Sequence, residues 1–201
     1  MKRIIAMCLL LLASMPPALA KVAIGEPAPD FTLPDSNGKT QTLSQFKGKT
    51  VVLEWHGTAC PYVAKHYGSG NMQKQQQEAA AAGVIWLTVN SSFSRPMGEL
   101  DAAGANAYMA KRGAQPAAYL MDPQGTVGHL YGARTTPNMF VIDANGVLRY
   151  MGAIDSINST DQADIAKATQ YVPQVLAELK AGKPVSVPVT DPYGCSVKYG
   201  S

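Results

Sequence analysis

The chain has 201 residues, of which 46% are hydrophobic, and its 17 basic and 14 acidic side chains give a formal net charge of +3. Two of the basic residues lie among the first twenty, so the rest of the chain is almost neutral, with 15 basic and 14 acidic residues. Because the sequence has no basic run and no alternation of basic and aromatic residues, its composition argues against nucleic acid as a partner.

Residues 1–20 have the pattern of a cleavable export signal. Lys2-Arg3 precede an apolar stretch over residues 4–12, and Ala18-Leu19-Ala20 has the spacing of small residues that is typical of a cleavage site. The apolar stretch is too short to remain as a membrane-spanning helix. We therefore expect a periplasmic or secreted mature chain that begins near Lys21 and has no membrane span.

The hydrophobic periodicity and the turn residues predict one domain over residues 21–182, followed by an extended tail over residues 183–201 that is rich in proline and glycine. Strands alternate with helices through the middle of the domain, and Pro173 is expected to kink or divide the last helix. In chain order, the predicted elements are a hairpin over 31–42, a strand over 51–55, a helix over 61–82 interrupted near 70, a strand over 84–90, a helix over 100–112, a strand over 117–121, a short helix over 127–131, a hairpin over 138–151 and an amphipathic helix over 160–179. This order indicates an α/β fold with a central mixed sheet and helices on both faces.

Cys60 is the residue that points most directly to chemistry. It follows a strand of buried type and a turn of small residues, and Pro61 is favoured at the first position of a helix because no backbone N–H is needed there. The unpaired N–H groups and the dipole at a helix start favour a thiolate, which is a nucleophile. A cysteine in an apolar run is otherwise more often an inert core residue. The Cys-Pro turn favours a redox or thiol-transfer function.

Two cysteines remain after cleavage of the signal, Cys60 and Cys195. An even number of cysteines in an exported protein permits a disulfide, which can be permanent or catalytic. We expect Cys60 and Cys195 to form one, either within one chain or between two chains of a homodimer. Tyr193 and Tyr199 flank Cys195 and are expected to dock the tail on apolar surface near Cys60.

The chain resembles the thioredoxin superfamily in two features: the position of Cys60 in this order of elements, and Thr136-Pro137 at the start of a strand. Within it, the chain is similar to the redoxin branch, the alkyl hydroperoxide reductase/thiol-specific antioxidant family, and to a group of exported, peroxiredoxin-like bacterial proteins. The shared motifs are Pro27-Ala28-Pro29-Asp30-Phe31, the stretch 55–60, Lys65-His66-Tyr67, Phe140-Val141-Ile142-Asp143 and Tyr193-Gly194-Cys195-Ser196. The resemblance implies a thioredoxin-like fold with an N-terminal β-hairpin extension. It also implies a thiol-dependent oxidoreductase that requires no metal and no organic cofactor.

The resemblance also implies roles for individual residues. Thr136-Pro137 is expected to be a cis-proline turn beside Cys60 whose backbone binds a substrate chain. Glu54 matches the position of a buried acid that can accept a proton from a thiol. Thr58 lies one residue after the position of a substrate-binding threonine and is expected to present its hydroxyl to the substrate. Arg134 is a further candidate, which could stabilise a thiolate or a peroxide oxygen by a charge-assisted hydrogen bond.

Two departures from these families leave the substrate open. Val63 stands where thioredoxins have a second cysteine, and Gly57 stands where peroxiredoxins have a threonine. The expected substrate is therefore a peroxide or a protein disulfide, with an unidentified thiol reductant. One alternative is a non-catalytic, thioredoxin-fold binding protein with a permanent disulfide staple. A second is a copper chaperone that uses Cys60 with His56 and His66.

Overall fold

The computed structural model describes residues 22–92 and 101–200. The strands are β1 (Thr32–Pro34), β2 (Thr40–Thr42), β3 (Val51–Trp55), β4 (Ile85–Asn90), β5 (Ala118–Met121), β6 (Thr135–Thr136), β7 (Asn138–Ile142), β8 (Leu148–Gly152) and β9 (Cys195–Ser196). The α-helices are α1 (Pro61–Gly68), α2 (Asn71–Ala81), α3 (Ala102–Arg112), α4 (Thr126–Tyr131) and α5 (Tyr171–Lys180). Short 3-10 turns lie at Leu43–Phe46 and Gln162–Asp164.

A five-stranded mixed sheet with the order β5-β4-β3-β7-β8 forms the centre of the fold. β3 pairs parallel to β4 and antiparallel to β7, and every residue of β3 and β7 is buried. One face packs against the β1–β2 hairpin and α4, whereas the other packs against α1, α2, α3 and α5. Burial on both faces explains why β3 is apolar at every position except Glu54, rather than alternating between apolar and polar residues. The predicted mixed sheet with helices on both faces and an N-terminal hairpin is confirmed.

The topology brings two connections to the same end of the sheet. Trp55, the last residue of β3, lies opposite Asn138, the first residue of β7. The turn that follows β3 and leads to Cys60 therefore lies beside the turn that precedes β7, which contains Pro137. Neighbouring antiparallel strands place the end of one next to the start of the other, so this part of the candidate site follows directly from the register of β3 and β7.

The closing helix differs from its prediction. The amphipathic pattern predicts a helix over residues 160–179, but α5 begins only at Tyr171, and the preceding segment contains just a 3-10 turn at Gln162–Asp164. Pro173 lies in the first turn of α5, where backbone N–H groups have no intrahelical partner. The expected kink or division at Pro173 is therefore wrong, because the proline lies in the first turn of a helix that begins at Tyr171.

The predicted signal segment over residues 1–20 lies outside the described residues, as do Leu100 and most of the predicted loop over 91–100. The division of the chain at residues 20 and 182 stays a prediction. Across residues 22–92 and 101–200, no helix is both long enough and apolar enough to cross a membrane.

Substituting Pro173→Ala tests the position of the helix start. We expect the free energy of unfolding to change by less than about 1 kcal/mol, because the proline ring breaks no hydrogen bond in the first turn. Urea denaturation followed by circular dichroism measures this change. A gain of about 3 kcal/mol would contradict the structure, since that is the cost of proline in a helix interior.

Candidate active site

Cys60 is the N-cap residue of α1, and Pro61 is the first residue of that helix. The Cys60 side chain is only 4% exposed, and its Sγ donates a hydrogen bond to the carbonyl oxygen of Thr136 over 3.0 Å. The Thr136–Pro137 peptide bond is cis. The prediction of a cis-proline turn facing Cys60 is therefore confirmed, and the thiol lies against the backbone of that turn.

Gly57, the departure from the peroxiredoxin pattern, has a steric reason in this fold. A Cβ atom at Gly57 would lie 3.1 Å from Oγ1 of Thr136, which is closer than ordinary van der Waals contact. A threonine at this position would require Thr136 to move. Thr58 is half-buried in the same turn, two residues before Cys60.

Cys195 lies next to the same backbone segment. β9 pairs antiparallel with β6, and Cys195 lies opposite Thr136 while Ser196 lies opposite Thr135. Both Cys60 and Cys195 are present as thiols. Burial raises the pKa of the Cys195 thiol, and its hydrogen bond with Cys60 raises it further. The structure therefore brings the two cysteines predicted to pair together within one chain, with Cys195 holding its proton.

The tail lies along its own domain, which is one of the two arrangements expected for it. The Tyr193 hydroxyl donates to Asp155, and its ring packs edge-to-face on Tyr62 with a centroid distance of 5.7 Å. After the cysteine, Val197 is buried and its N–H donates to the Arg134 carbonyl over 3.0 Å. These contacts hold the chain on both sides of β9.

Tyr199 is the second aromatic anchor of the tail. Its ring stacks on His129 with centroids 4.0 Å apart, and its hydroxyl donates to the Ala133 carbonyl over 2.7 Å. Gly125 and Gly128 make room for this side chain, because a Cβ atom at Gly125 would lie 2.5 Å from the ring and one at Gly128 would lie 2.5 Å from the hydroxyl. The expected docking of Tyr193 and Tyr199 on the domain is confirmed.

A buried ionic cluster beneath Tyr193 was not predicted. Lys65 Nζ lies 3.4 Å from Asp155 Oδ2, and neither side chain is exposed. His66 Nε2 lies 3.6 Å from the same carboxylate, but burial lowers the pKa of His66 to about 4, so the imidazole is neutral at pH 7. Lys65-His66 stands out in the sequence only as a shared motif, and a lysine in a helical pattern is normally expected at the surface.

Glu54 is fully buried in β3, as the resemblance implies. Its carboxylate accepts hydrogen bonds from Tyr67, Trp86 and Thr88 over 2.9–3.1 Å. Burial raises the pKa of Glu54 to about 7, although these hydrogen bonds oppose the shift. Near neutral pH this carboxyl group can therefore take up or release a proton, which is the property that an acid–base group requires.

The expected role of Arg134 at a thiolate or a peroxide oxygen stays a prediction. Its side chain is 65% exposed and pairs with the exposed carboxylate of Asp191 on the tail over 2.8 Å, and its backbone carbonyl accepts from Val197 of the same tail. The cation beside the cysteines is instead Lys198, which the sequence did not single out. Lys198 donates to Ser196 Oγ over 2.8 Å. It also lines a cavity of about 200 Å³ with seven other residues, Gly57, Ala59, Cys60, Ser92, Thr136, Cys195 and Ser196.

The two histidines near Cys60 in sequence serve the core. His56 is fully buried, its Nδ1 lies 3.1 Å from the Tyr119 hydroxyl, and burial lowers its pKa to about 3. His66 binds Asn71 through Nδ1 over 2.8 Å. In the described part of the chain, no three His, Cys, Asp or Glu side chains are grouped so that they could hold a metal ion. The copper alternative therefore finds no ligand set among these residues.

The model of the AhpC/TSA family matches residues 24–151. The chain belongs to the AhpC/TSA family. It is 31% identical over 148 residues to the thiol:disulfide interchange protein DsbE of Vibrio cholerae, an alignment that covers 71% of this chain and 73% of that protein. It is also 31% identical over 139 residues to the chloroplastic peroxiredoxin Q of Triticum aestivum, covering 65% and 59% of the two chains.

The fold has a near-complete counterpart among solved structures. A hypothetical protein of Sinorhizobium meliloti 1021 superposes with a TM-score of 0.75 over 90% of this chain and 97% of that chain, at 24% sequence identity. The predicted redoxin family and thioredoxin-like fold are confirmed. The prediction of a thiol-dependent oxidoreductase is also confirmed at the level of the family, whose named relatives act by thiol–disulfide interchange or are peroxiredoxins.

A Glu54→Gln variant tests the raised pKa. Because Glu54 has a higher pKa in the folded protein than in the unfolded chain, it binds its proton more tightly when folded, and stability is lost as pH rises from about 4.5 to about 7. We expect the free energy of unfolding of the variant to rise, relative to that of the wild type, by up to about 3 kcal/mol across this pH range. Denaturation at several pH values measures the difference. A difference that does not vary with pH would contradict the assignment.

Two aspartates form a matched pair for testing the buried ion pair. Asp155→Ala leaves Lys65 buried without its partner and should lower the free energy of unfolding by about 3–5 kcal/mol. Asp191→Ala removes the exposed partner of Arg134 and should cost about 0–1 kcal/mol. Urea denaturation of both variants measures this. Equal, small losses would show that Lys65 and Asp155 are not buried together.

Proposed function

We propose that this chain is an exported thiol oxidoreductase in which Cys60 is the nucleophile and Cys195 of the same chain is the resolving thiol. The observation that carries the proposal is the position of both cysteines on the backbone of Thr136. Cys60 donates to its carbonyl, and Cys195 pairs with it across the β6–β9 ladder. The export pattern of residues 1–20 supports the periplasmic or secreted location.

The first step is attack by the Cys60 thiolate on an electrophilic sulfur or oxygen. Attack on a disulfide gives a mixed disulfide and releases one thiol, whereas attack on a peroxide gives a sulfenic acid and releases an alcohol or water. Cys195 has a raised pKa and keeps its proton during this step. In the second step Cys195 loses this proton, because the thiolate is the attacking species. Its sulfur then displaces the remaining group from Cys60, which leaves with a proton as a thiol or as water, and the Cys60–Cys195 disulfide forms. A thiol reductant then returns two electrons and two protons.

Two further groups are assigned supporting roles. To Glu54, with a pKa of about 7, we assign the uptake of protons released in the thiol steps. We assign the binding of the reacting group next to Cys60 to Thr58, Thr136 and Pro137. Because both cysteines belong to one chain, the cycle needs no second subunit, and a homodimer is not required for it.

The contacts of the tail bear on the alternative of a binding protein with a permanent staple. Tyr193, Val197 and Tyr199 hold the tail on the domain without any covalent bond. A disulfide is therefore not needed to keep the tail in place. This favours a reversible bond between Cys60 and Cys195 over a structural one.

Thiol counting in the wild type, Cys60→Ser and Cys195→Ser tests the proposal. With one equivalent of oxidant, the wild type should lose both thiols, and mass spectrometry should detect an intramolecular Cys60–Cys195 disulfide. Dithiothreitol should restore both thiols under native conditions. With excess hydrogen peroxide, Cys195→Ser should accumulate irreversible sulfinic acid at Cys60, because no neighbouring thiol resolves the sulfenic acid. Cys60→Ser should retain its remaining thiol.

The proposal fails if Cys60 does not react, or if Cys195 stays a free thiol in the oxidised wild type. A Cys60–Cys195 bond that resists dithiothreitol until the protein is unfolded would instead favour the permanent staple. A disulfide that joins two chains would show that the resolving thiol belongs to a partner subunit.

A further inference from the structure

We propose that β9 determines substrate specificity: it occupies the peptide-binding edge beside Cys60, excludes peptide and protein disulfides, and leaves Cys60 to small oxidants of the hydroperoxide class. This inference rests on the proposed function, because it concerns which molecules reach the Cys60 thiol. It assigns a role to the tail beyond carrying Cys195.

The edge of β6 lies next to the Cys60 thiol. A short extended segment with unpaired backbone groups binds an extended peptide by adding it as a further strand. The segment next to the Cys60 thiol is β6, and its carbonyl at Thr136 already accepts the thiol hydrogen bond. A peptide paired with β6 would place its own residues next to Cys60. In this chain β9 holds that place, with Cys195 opposite Thr136.

The contact between the tail and this edge is tight. A Cβ atom at Gly194 would lie 2.1 Å from the Thr136 carbonyl oxygen and 2.9 Å from its carbonyl carbon. The glycine also has a φ of +133°, which residues with a side chain rarely adopt. The tail backbone therefore lies directly on the edge, so a second peptide can bind there only if β9 leaves.

Leaving the edge requires breaking the anchors on both sides of β9. On one side, the Tyr193 hydroxyl donates to Asp155, whose partner in the core is Lys65. On the other side, Val197 is buried and Tyr199 stacks on His129. A substrate peptide would have to replace this whole set of contacts, which makes the tail an effective competitor at its high local concentration.

The opening that remains suits a small molecule. The cavity beside the two cysteines has a volume of about 200 Å³, and Cys60 is only 4% exposed. A hydroperoxide presents one terminal oxygen to the thiolate. The Cys60 sulfur takes that oxygen as the O–O bond breaks, the alcohol leaves with a proton, and Cys60 becomes a sulfenic acid. Cys195 then displaces hydroxide, which leaves as water, so two thiols become one disulfide and the peroxide is reduced by two electrons.

Gly194→Ala and Gly182→Ala form a matched pair for testing the role of β9. The alanine at 194 collides with Thr136 and should release β9, whereas Gly182 also has a positive φ, of +65°, but nothing lies within 4 Å of an added Cβ. Both are made in a Cys195→Ser background, so that Cys60 is the reacting thiol. Two single-turnover rates are measured: oxidation by hydrogen peroxide, and attack on a ten-residue synthetic peptide whose cysteine is linked to a thionitrobenzoate chromophore.

We expect Gly194→Ala to raise the rate with the peptide by about tenfold or more while its rate with peroxide stays within about threefold. Gly182→Ala should leave both rates near those of the parent. Tyr199→Ala removes an anchor of the tail without introducing a collision, and it should shift the two rates in the same direction as Gly194→Ala. It replaces Gly194→Ala in the test if Gly194→Ala fails to fold.

Three results are distinguishable. If the peptide reacts equally fast with and without the release of β9, or if both rates rise equally, the specificity role of β9 is overturned while the proposed function stands. If Cys60 reacts with neither oxidant in any variant, the proposed function itself fails. A selective gain with the peptide establishes that β9 excludes it.

Discussion

β9 has only two residues, yet its pairing with β6 fixes the geometry on which the rest of the site depends. It sets Cys195 opposite Thr136, whose carbonyl binds the Cys60 thiol. It also covers Cys60 and limits the remaining opening to a small cavity. Gly194 permits this approach, because any side chain there would collide with the Thr136 carbonyl. In the proposed cycle, resolution by Cys195 and access to Cys60 are therefore coupled through one short stretch of backbone.

Two buried acids support this arrangement from different sides. Glu54 lies in the central strand β3, where burial raises its pKa to about 7 and leaves it able to exchange protons near neutral pH. Asp155 is paired with Lys65 on α1 and accepts a hydrogen bond from Tyr193 on the tail. The helix that begins at Cys60 and the tail that carries Cys195 thus share one buried carboxylate. Loss of that carboxylate would remove one contact of α1 and one contact of the tail.

The sequence predicted the sheet and the reactive turn because both depend on local signals. The apolar run of β3 and the Cys60-Pro61 dipeptide define the strand, the turn and the helix start within a few residues. The closing helix was misplaced because an amphipathic pattern does not show where hydrogen bonding begins, and Pro173 fits a first turn as well as a kink. Lys65 and Asp155 are 90 residues apart, and only the tertiary fold places them together. The ion pair of Arg134 could not be predicted for the same reason, since its partner Asp191 lies on the tail.

Hydrogen exchange at the Val197 amide tests the central claim most directly, because this N–H donates to the Arg134 carbonyl next to β9. If the tail is docked as part of the fold, this amide in the reduced protein should exchange at least about a hundredfold more slowly than in an unstructured peptide. Exchange at the rate of an unstructured peptide would show that β9 is not paired with β6, and would contradict the positions assigned to Cys195 and to the cover over Cys60.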